Sequence, residues 1–282
     1  MNGGEDTLWR VRDRLVRPQF PLVMGVLNAT PDSFFAQSRA ATVEEALHAA
    51  ERMLGEGAGL LDIGGASSRP GARTIGEAEE IGRVVPVIDA LQRRFPQALV
   101  SVDTWRARVA QEAVAAGAAM VNDIGAGLLD QGMLTTVAKL GVPYVAMHMQ
   151  GTPATMQEDP HYADVAAEVT LFLGQRLQAA RAAGIADVVL DPGLGFGKTT
   201  AHNFALLQAL PRLKALGAPL MVGLSRKRMI NRTLGITPAE ALNGTSVLNT
   251  IALLRGADIL RVHDVREAVQ AVKLVHAYME QR

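Results

Sequence analysis

Eight short apolar runs, each followed by a stretch of helical spacing, recur from Leu22 almost to the C-terminus. They cover residues 22–29, 60–64, 99–103, 120–124, 144–148, 188–191, 220–224 and 259–263. Val, Ile, Leu and Ala dominate them, as expected of parallel strands covered by helices. Helical periodicity is clearest over residues 43–55, 77–95 and 165–183, and a last charged helix runs from Val265 to about Met279. Gly59, Gly117, Gly141, Gly184, Gly217 and Gly256 are placed to end helices in a left-handed turn before the next strand. Eight such units predict a closed (β/α)8 TIM barrel, an α/β fold forming a single domain over residues 21–282 behind an N-terminal extension at 1–20. A doubly wound open sheet is the alternative, but its first strand usually carries a GxGxxG turn, and here that turn reads NATPDSFF.

Composition narrows the function. Lys and Arg number 28 against 28 Asp and Glu, so bulk charge would not draw the chain to nucleic acid or a membrane surface, and neither partner is expected. Cysteine is absent, which removes disulfides, zinc thiolates and a thiol nucleophile together, and suits a reducing, cytoplasmic setting. The first twenty residues carry Arg10, Arg12, Arg14 and Arg17 and have no apolar core of signal-peptide length. No segment approaches the ~18 uninterrupted apolar residues of a membrane span.

In a barrel, polar groups at the C-terminal ends of successive strands converge on one site. LVSVDT, MVNDI, VVLDPG and PLMVGLSRK place Asp103, Asn122, Asp191 and Lys227 there. Two carboxylates, an amide and an ammonium suit a flat heterocycle with several N–H donors and a carbonyl acceptor. Arg261 and His263 lie two residues apart and so share one face of the last strand, where two cationic donors call for an anionic partner.

Three loops add to this. GGASSRPGA combines Ser67, Ser68 and Arg69 with the rigid turn at Pro70, a set fit for phosphate oxygens or simply a surface turn. DPGLGFGKT looks like a phosphate loop but has Pro192 where that motif needs Gly, so its glycines are better read as allowing backbone to approach a ligand. MHMQGTPATMQ mixes Met and His; its Met residues suit packing, and His148 has no His or carboxylate at zinc-ligand spacing.

Taken in order, MGVLNATPDSF, DIGGASSRPGA, SVDT, VNDI, MHMQGTPATMQ, LDPGLGFGK, GLSRKRMI and ILRVHDV resemble dihydropteroate synthase, the sulfonamide-target family of folate biosynthesis, from about Val23 to the C-terminus. The resemblance implies a transferase that joins 6-hydroxymethyl-7,8-dihydropterin diphosphate to p-aminobenzoate, releasing diphosphate. It implies that Asp103, Asn122, Met147, Asp191, Phe196, Lys227 and Arg261 hold the pterin. Asn28, Arg69, Arg261 and His263 would bind diphosphate, with Asn28 also binding Mg2+. Ser68, Pro70 and Lys227 would neighbour p-aminobenzoate. The catalytic set so implied is Asn28, Arg69, Lys227, Arg261 and His263, and a homodimer is expected on the same ground.

Two departures fall on the loops expected to close over p-aminobenzoate. Phe35-Ala36-Gln37-Ser38-Arg39 stands where the family often has S-D-G-G, and Ala66 and Ser68 replace Glu and Thr. A pterin-binding paralogue without turnover and a pterin-dependent methyltransferase are the competing readings. On this reading Arg261→Ala should damage turnover more than folding.

Overall fold

The computed structural model describes residues 8–29, 39–66, 73–153 and 155–281. Eight strands form one parallel sheet: β3 (Leu22–Asn28), β4 (Leu60–Gly64), β5 (Val100–Asp103), β6 (Met120–Asp123), β7 (Tyr144–Met147), β8 (Val188–Asp191), β9 (Met221–Val222) and β10 (Ile259–Val262). Their spatial order is β8-β7-β6-β5-β4-β3-β10-β9, and a parallel bridge between Leu190 and Leu220 joins the two ends into a ring. The fold is therefore the (β/α)8 barrel. Most strands are one residue shorter than their apolar runs suggest, and β9 keeps only two paired residues.

Helices wrap the ring: α1 (Arg39–Gly55), α2 (Glu77–Arg94), α3 (Ala107–Ala115), α4 (Met133–Leu140), α5 (Val165–Ala182), α6 (Thr200–Gln208), α7 (Leu210–Lys214), α8 (Arg228–Leu234), α9 (Leu242–Leu254) and α10 (Val265–Glu280). Gly117, Gly141, Gly184, Gly217 and Gly256 take positive φ as expected, but Gly59 does not. After α1 that turn belongs to Gly57, with φ 102°. Gly59 serves packing instead, because a Cβ there would stand 2.1 Å from Leu22 Cδ2.

Two apolar layers follow from strand alternation. One face of each strand meets the helices, as with Leu61, Ile63, Val100, Val121 and Leu190. The other fills the barrel with Leu22, Met24, Leu60, Met120, Val145, Val189, Met221 and Ile259. Near the N-terminus, β1 (Trp9–Val11) and β2 (Arg14–Val16) form an antiparallel hairpin, and Trp9 and Val11 join the inner cluster. Arg10 N–H donates to Asp187 at 2.6 Å and Arg12 N–H to the Gly141 carbonyl at 2.8 Å, fastening the hairpin beneath the strands. Among the described residues no helix is long and apolar enough to cross a membrane.

Candidate active site

The inward face changes character along each strand. Two residues beyond an apolar member of the inner cluster comes a residue of the site: Leu60 then Asp62, Met120 then Asn122, Val189 then Asp191, Ile259 then Arg261. A period of two keeps each pair on one face, so the barrel floor is apolar and the next layer polar.

Arg261 is the centre of that layer. Its Nε donates to Asp62 Oδ2 at 2.7 Å and its Nη2 to Asp103 Oδ2 at 2.7 Å. Asn122 Nδ2 donates to the same Asp62 oxygen at 3.0 Å, which turns the amide oxygen of Asn122 away from that contact. Asp62 is fully buried, and its Oδ1 has no hydrogen-bond partner. Asp62 lies inside its strand rather than at the strand end, so the strand-end pattern that marks Asp103 and Asp191 does not mark it. The available signal was a charged residue inside the apolar run LLDIG, on the face of Leu60.

Asp191 ends β8 and accepts from Gly193 N–H at 2.7 Å through Oδ1. Lys227 lies not on β9 but at the N-cap of α8, and reaches inward to donate to the Leu194 carbonyl. Its ammonium sits 4.9 Å from the centre of the Phe196 ring. Gly223 lies beside both cations: a Cβ there would sit in ordinary contact, 3.6 Å from Lys227 Nζ and 3.9 Å from Arg261 Cβ. Of the neighbouring basic residues, Arg228 is exposed, while Arg226 forks onto Asp264 at 2.9 and 2.8 Å and ties the loop to the start of α10.

Burial sets the electrostatics. It raises the Asp103 pKa to about 7, against Arg261 and with help from Asp62. Burial likewise raises Asp191, opposed by Lys227 and the Gly193 N–H. It lowers Lys227 to about 8, against the pull of Asp191. For Arg261 burial also works downward, but Asp62 and Asp103 overcome it and the guanidinium stays charged.

The remaining expected residues fall around this centre. Asn28 ends β3 beside Gly64, where a Cβ would stand 3.8 Å from Asn28 Oδ1 and 3.6 Å from Asp103 Cβ. Met147 ends β7, is buried and pairs in register with Asp191. His263 follows the end of β10 and is exposed, with Nδ1 3.0 Å from Ser225 Oγ. Ser67, Ser68, Arg69 and Pro70 lie outside the described residues, as do residues 30–38 with the altered TPDSF continuation. His148, without a His or carboxylate partner in sequence, has Lys198 Nζ 2.9 Å from its Nδ1.

The layer thus offers carboxylates at Asp103 and Asp191, an amide at Asn122, and cations at Lys227 and Arg261, all above an apolar floor. That is an envelope for a flat, hydrogen-bonding ring.

Known proteins share this architecture and sequence. The model of the family described as "Pterin binding enzyme" matches residues 24–263. Dihydropteroate synthase of Escherichia coli is 44% identical over 259 residues, covering 91% of each chain. The structure of Yersinia pestis dihydropteroate synthase with a sulfonamide drug complex superposes with a TM-score of 0.90 at 43% identity, covering 97% of this chain and 100% of that one. The structure of Xanthomonas albilineans dihydropteroate synthase in complex with 7,8-dihydropteroate superposes at 0.86 and 43% identity, over 97% and 99%.

Proposed function

Since the chain belongs to the pterin binding enzyme family, among its dihydropteroate synthases, we propose how its own residues perform that reaction. The enzyme condenses 6-hydroxymethyl-7,8-dihydropterin diphosphate with p-aminobenzoate to give 7,8-dihydropteroate and diphosphate. The observation that carries the residue assignment is the network joining Arg261 to Asp62, Asp103 and Asn122, with Asp191 and Lys227 beside it.

Asp103, Asn122 and Asp191 take the amino and ring N–H edge of the pterin, because ionised carboxylates accept paired hydrogen bonds. Lys227 donates to the ring carbonyl or N5, exchanging the Leu194 carbonyl for the ligand. The Arg261 guanidinium, held flat by two carboxylates, stacks on the ring, and Met147 and Phe196 complete the walls. Asn28, Arg69, Arg261 and His263 are assigned to the diphosphate end.

The reaction follows a dissociative course. The C–O bond to diphosphate breaks first, and the electron-rich dihydropterin supports the cation left at its exocyclic carbon. The arylamine nitrogen, neutral at ordinary pH, attacks that carbon, and the new C–N bond forms before its surplus proton is lost. No strong base is needed to start the attack. Preorganised positive charge on the departing diphosphate is the main contribution of the protein.

Mg2+ belongs to this proposal. Among the described residues no group of three or more His, Asp or Glu side chains could hold a metal. Asn28 offers one hard amide oxygen at the mouth, which suits Mg2+, an ion that keeps waters and takes substrate phosphate oxygens as its other ligands. Bound there, it would supply further positive charge against the diphosphate. Ser68, Pro70 and Lys227 are assigned to p-aminobenzoate, and its site is where a sulfonamide would compete.

A homodimer is the assembly we infer. Val247, Ile251 and Leu254 are exposed at helical spacing on α9, and Leu274 and Tyr278 are exposed one turn apart on the neighbouring α10. A second copy of this chain would cover that stripe.

The test is diphosphate release by purified protein given the dihydropterin diphosphate and Mg2+, with and without p-aminobenzoate. Release that depends on p-aminobenzoate and yields dihydropteroate supports the assignment. Pterin binding without product would point to a paralogue that has lost turnover.

A further inference from the structure

The loop after β8 presents an unusual pattern of backbone capping. Each carbonyl from residue 193 to residue 197 accepts a hydrogen bond from a side chain. Lys198 Nζ serves Gly193 at 3.0 Å and Phe196 at 2.9 Å, Lys227 serves Leu194, Gln157 Nε2 serves Gly195 at 2.7 Å, and Tyr162 Oη serves Gly197 at 2.8 Å. The alternating left-handed residues Gly193, Gly195 and Gly197, with φ of 63°, 86° and 60°, splay these carbonyls so that different donors can reach them.

Lys198 is the most deeply placed of the donors, only 3% exposed. Burial pushes the Lys198 pKa well down, with Asp191 opposing it, and three acceptors stand within 3.0 Å of its nitrogen, one for each N–H of an ammonium: His148 Nδ1, the Gly193 carbonyl and the Phe196 carbonyl. The His148 pKa is lowered to about 3, by burial first and the Lys198 charge second, so the imidazole is neutral and can accept. The His148 ring also lies edge-on to Phe172, with centroids 4.8 Å apart, which fixes the acceptor in place. Lys198 therefore stitches the loop after β7 to the loop after β8.

We propose that Lys198 is a positioning residue for the pterin pocket, seated on His148 and holding residues 193–197 as a preformed wall, with Tyr162 and Gln157 as secondary pins. The proposal rests on the pterin assignment above. The wall carries the Phe196 ring, which lies beside the Lys227 ammonium, and the Leu194 carbonyl, which seats that ammonium until the ligand takes its place. A loop fixed before binding spares the ligand the entropy of ordering it, so slackening the wall should weaken pterin binding rather than slow bond breaking.

The experiment compares wild type, Lys198→Met and Tyr162→Phe by calorimetry with dihydropterin diphosphate and by steady-state kinetics. For Lys198→Met the expected result is at least about a tenfold rise in pterin Kd and KM, with kcat reduced by less than about threefold. A purely structural role would lower the melting temperature or the active fraction, and hence kcat, while leaving KM and Kd unchanged. That outcome overturns the proposal. Should Lys198→Met fail to fold, Tyr162→Phe decides, since it removes one hydroxyl from a half-buried ring; about a threefold rise in Kd is expected, and an unchanged Kd overturns the proposal. Wild-type protein that binds no pterin would instead overturn the functional reading beneath it.

Discussion

Replacing Arg261 with Met removes a guanidinium that donates at 2.7 Å to each of two buried carboxylates. Asp62 would keep only the Asn122 amide at 3.0 Å, and its other oxygen already lacks a partner. Stripping one member from a buried ion pair costs about 3–5 kcal/mol, because the charge left behind is neither solvated nor paired. At about 2–4 °C per kcal/mol for a domain of a few hundred residues, melting should fall by roughly 6–20 °C near neutral pH. The sequence alone suggests that losing Arg261 would harm turnover more than folding; the two ion pairs say that both suffer. The pH dependence sharpens the test. Asp103 already has its pKa raised to about 7 with Arg261 present, and without it that carboxyl moves further up. A carboxylate whose folded pKa exceeds its unfolded value contributes stability below the unfolded pKa and loses it as pH rises through the folded one. The gap between variant and parent should thus be widest at about pH 8 and narrow on acidification. Scanning calorimetry of both proteins across this range reads it directly. A variant melting within about 2 °C of the parent at high pH, or a gap that widens in acid, would refute the reasoning. Adding Asp62→Leu to the variant should restore part of the loss, since the buried charge goes with its partner.

Asp103→Asn should weaken pterin binding, because a buried acceptor becomes partly a donor; calorimetry showing unchanged affinity would remove Asp103 from the ring contacts. Pterin affinity should also peak in a window between the Asp103 pKa, about 7, and the Lys227 pKa, about 8, since the carboxylate must be ionised and the ammonium protonated. An affinity flat from acid to alkaline pH would contradict that pairing of roles. Chelating Mg2+ should suppress turnover, and Asn28→Leu should raise the Mg2+ concentration needed for half-maximal rate; equal Mg2+ dependence in variant and parent would free Asn28 of the metal. Ile251→Asp should shift the protein toward monomer in analytical ultracentrifugation, by placing a charge in the apolar stripe on α9.

The fold was legible because its signal is repetitive: strand and helix periods alternate eight times, and no single misjudged residue could hide that. Asp103, Asn122 and Asp191 were legible for the same reason, as polar residues closing apolar runs. Asp62 was not, because strand ends attracted attention and the inward parity of LLDIG did not. Lys227 reads in sequence as the end of the strand run PLMVGLSRK, and the structure moves it to a helix N-cap whose long side chain reaches back over the barrel. The Lys198–His148 contact joins positions 50 residues apart on two loops, and nothing local in either segment announces it. Gly59 was misjudged because sequence marks a glycine without saying whether φ or the missing Cβ is what the site requires.

The N-terminal hairpin has a consequence for traffic. Trp9 and Val11 pack into the apolar cluster that fills the barrel, and the hairpin is fastened to Asp187 and Gly141 beneath it. Among the described residues the barrel is therefore closed at the hairpin end, which leaves the opposite mouth as the door. On the proposed assignment the pterin occupies its deep end, so whatever enters second sits nearer the door and blocks the first from leaving. Arrival is then queued, heterocycle before arylamine, and departure runs in reverse, with the diphosphate leaving from the doorway and the joined product, rooted at the deep end, going last.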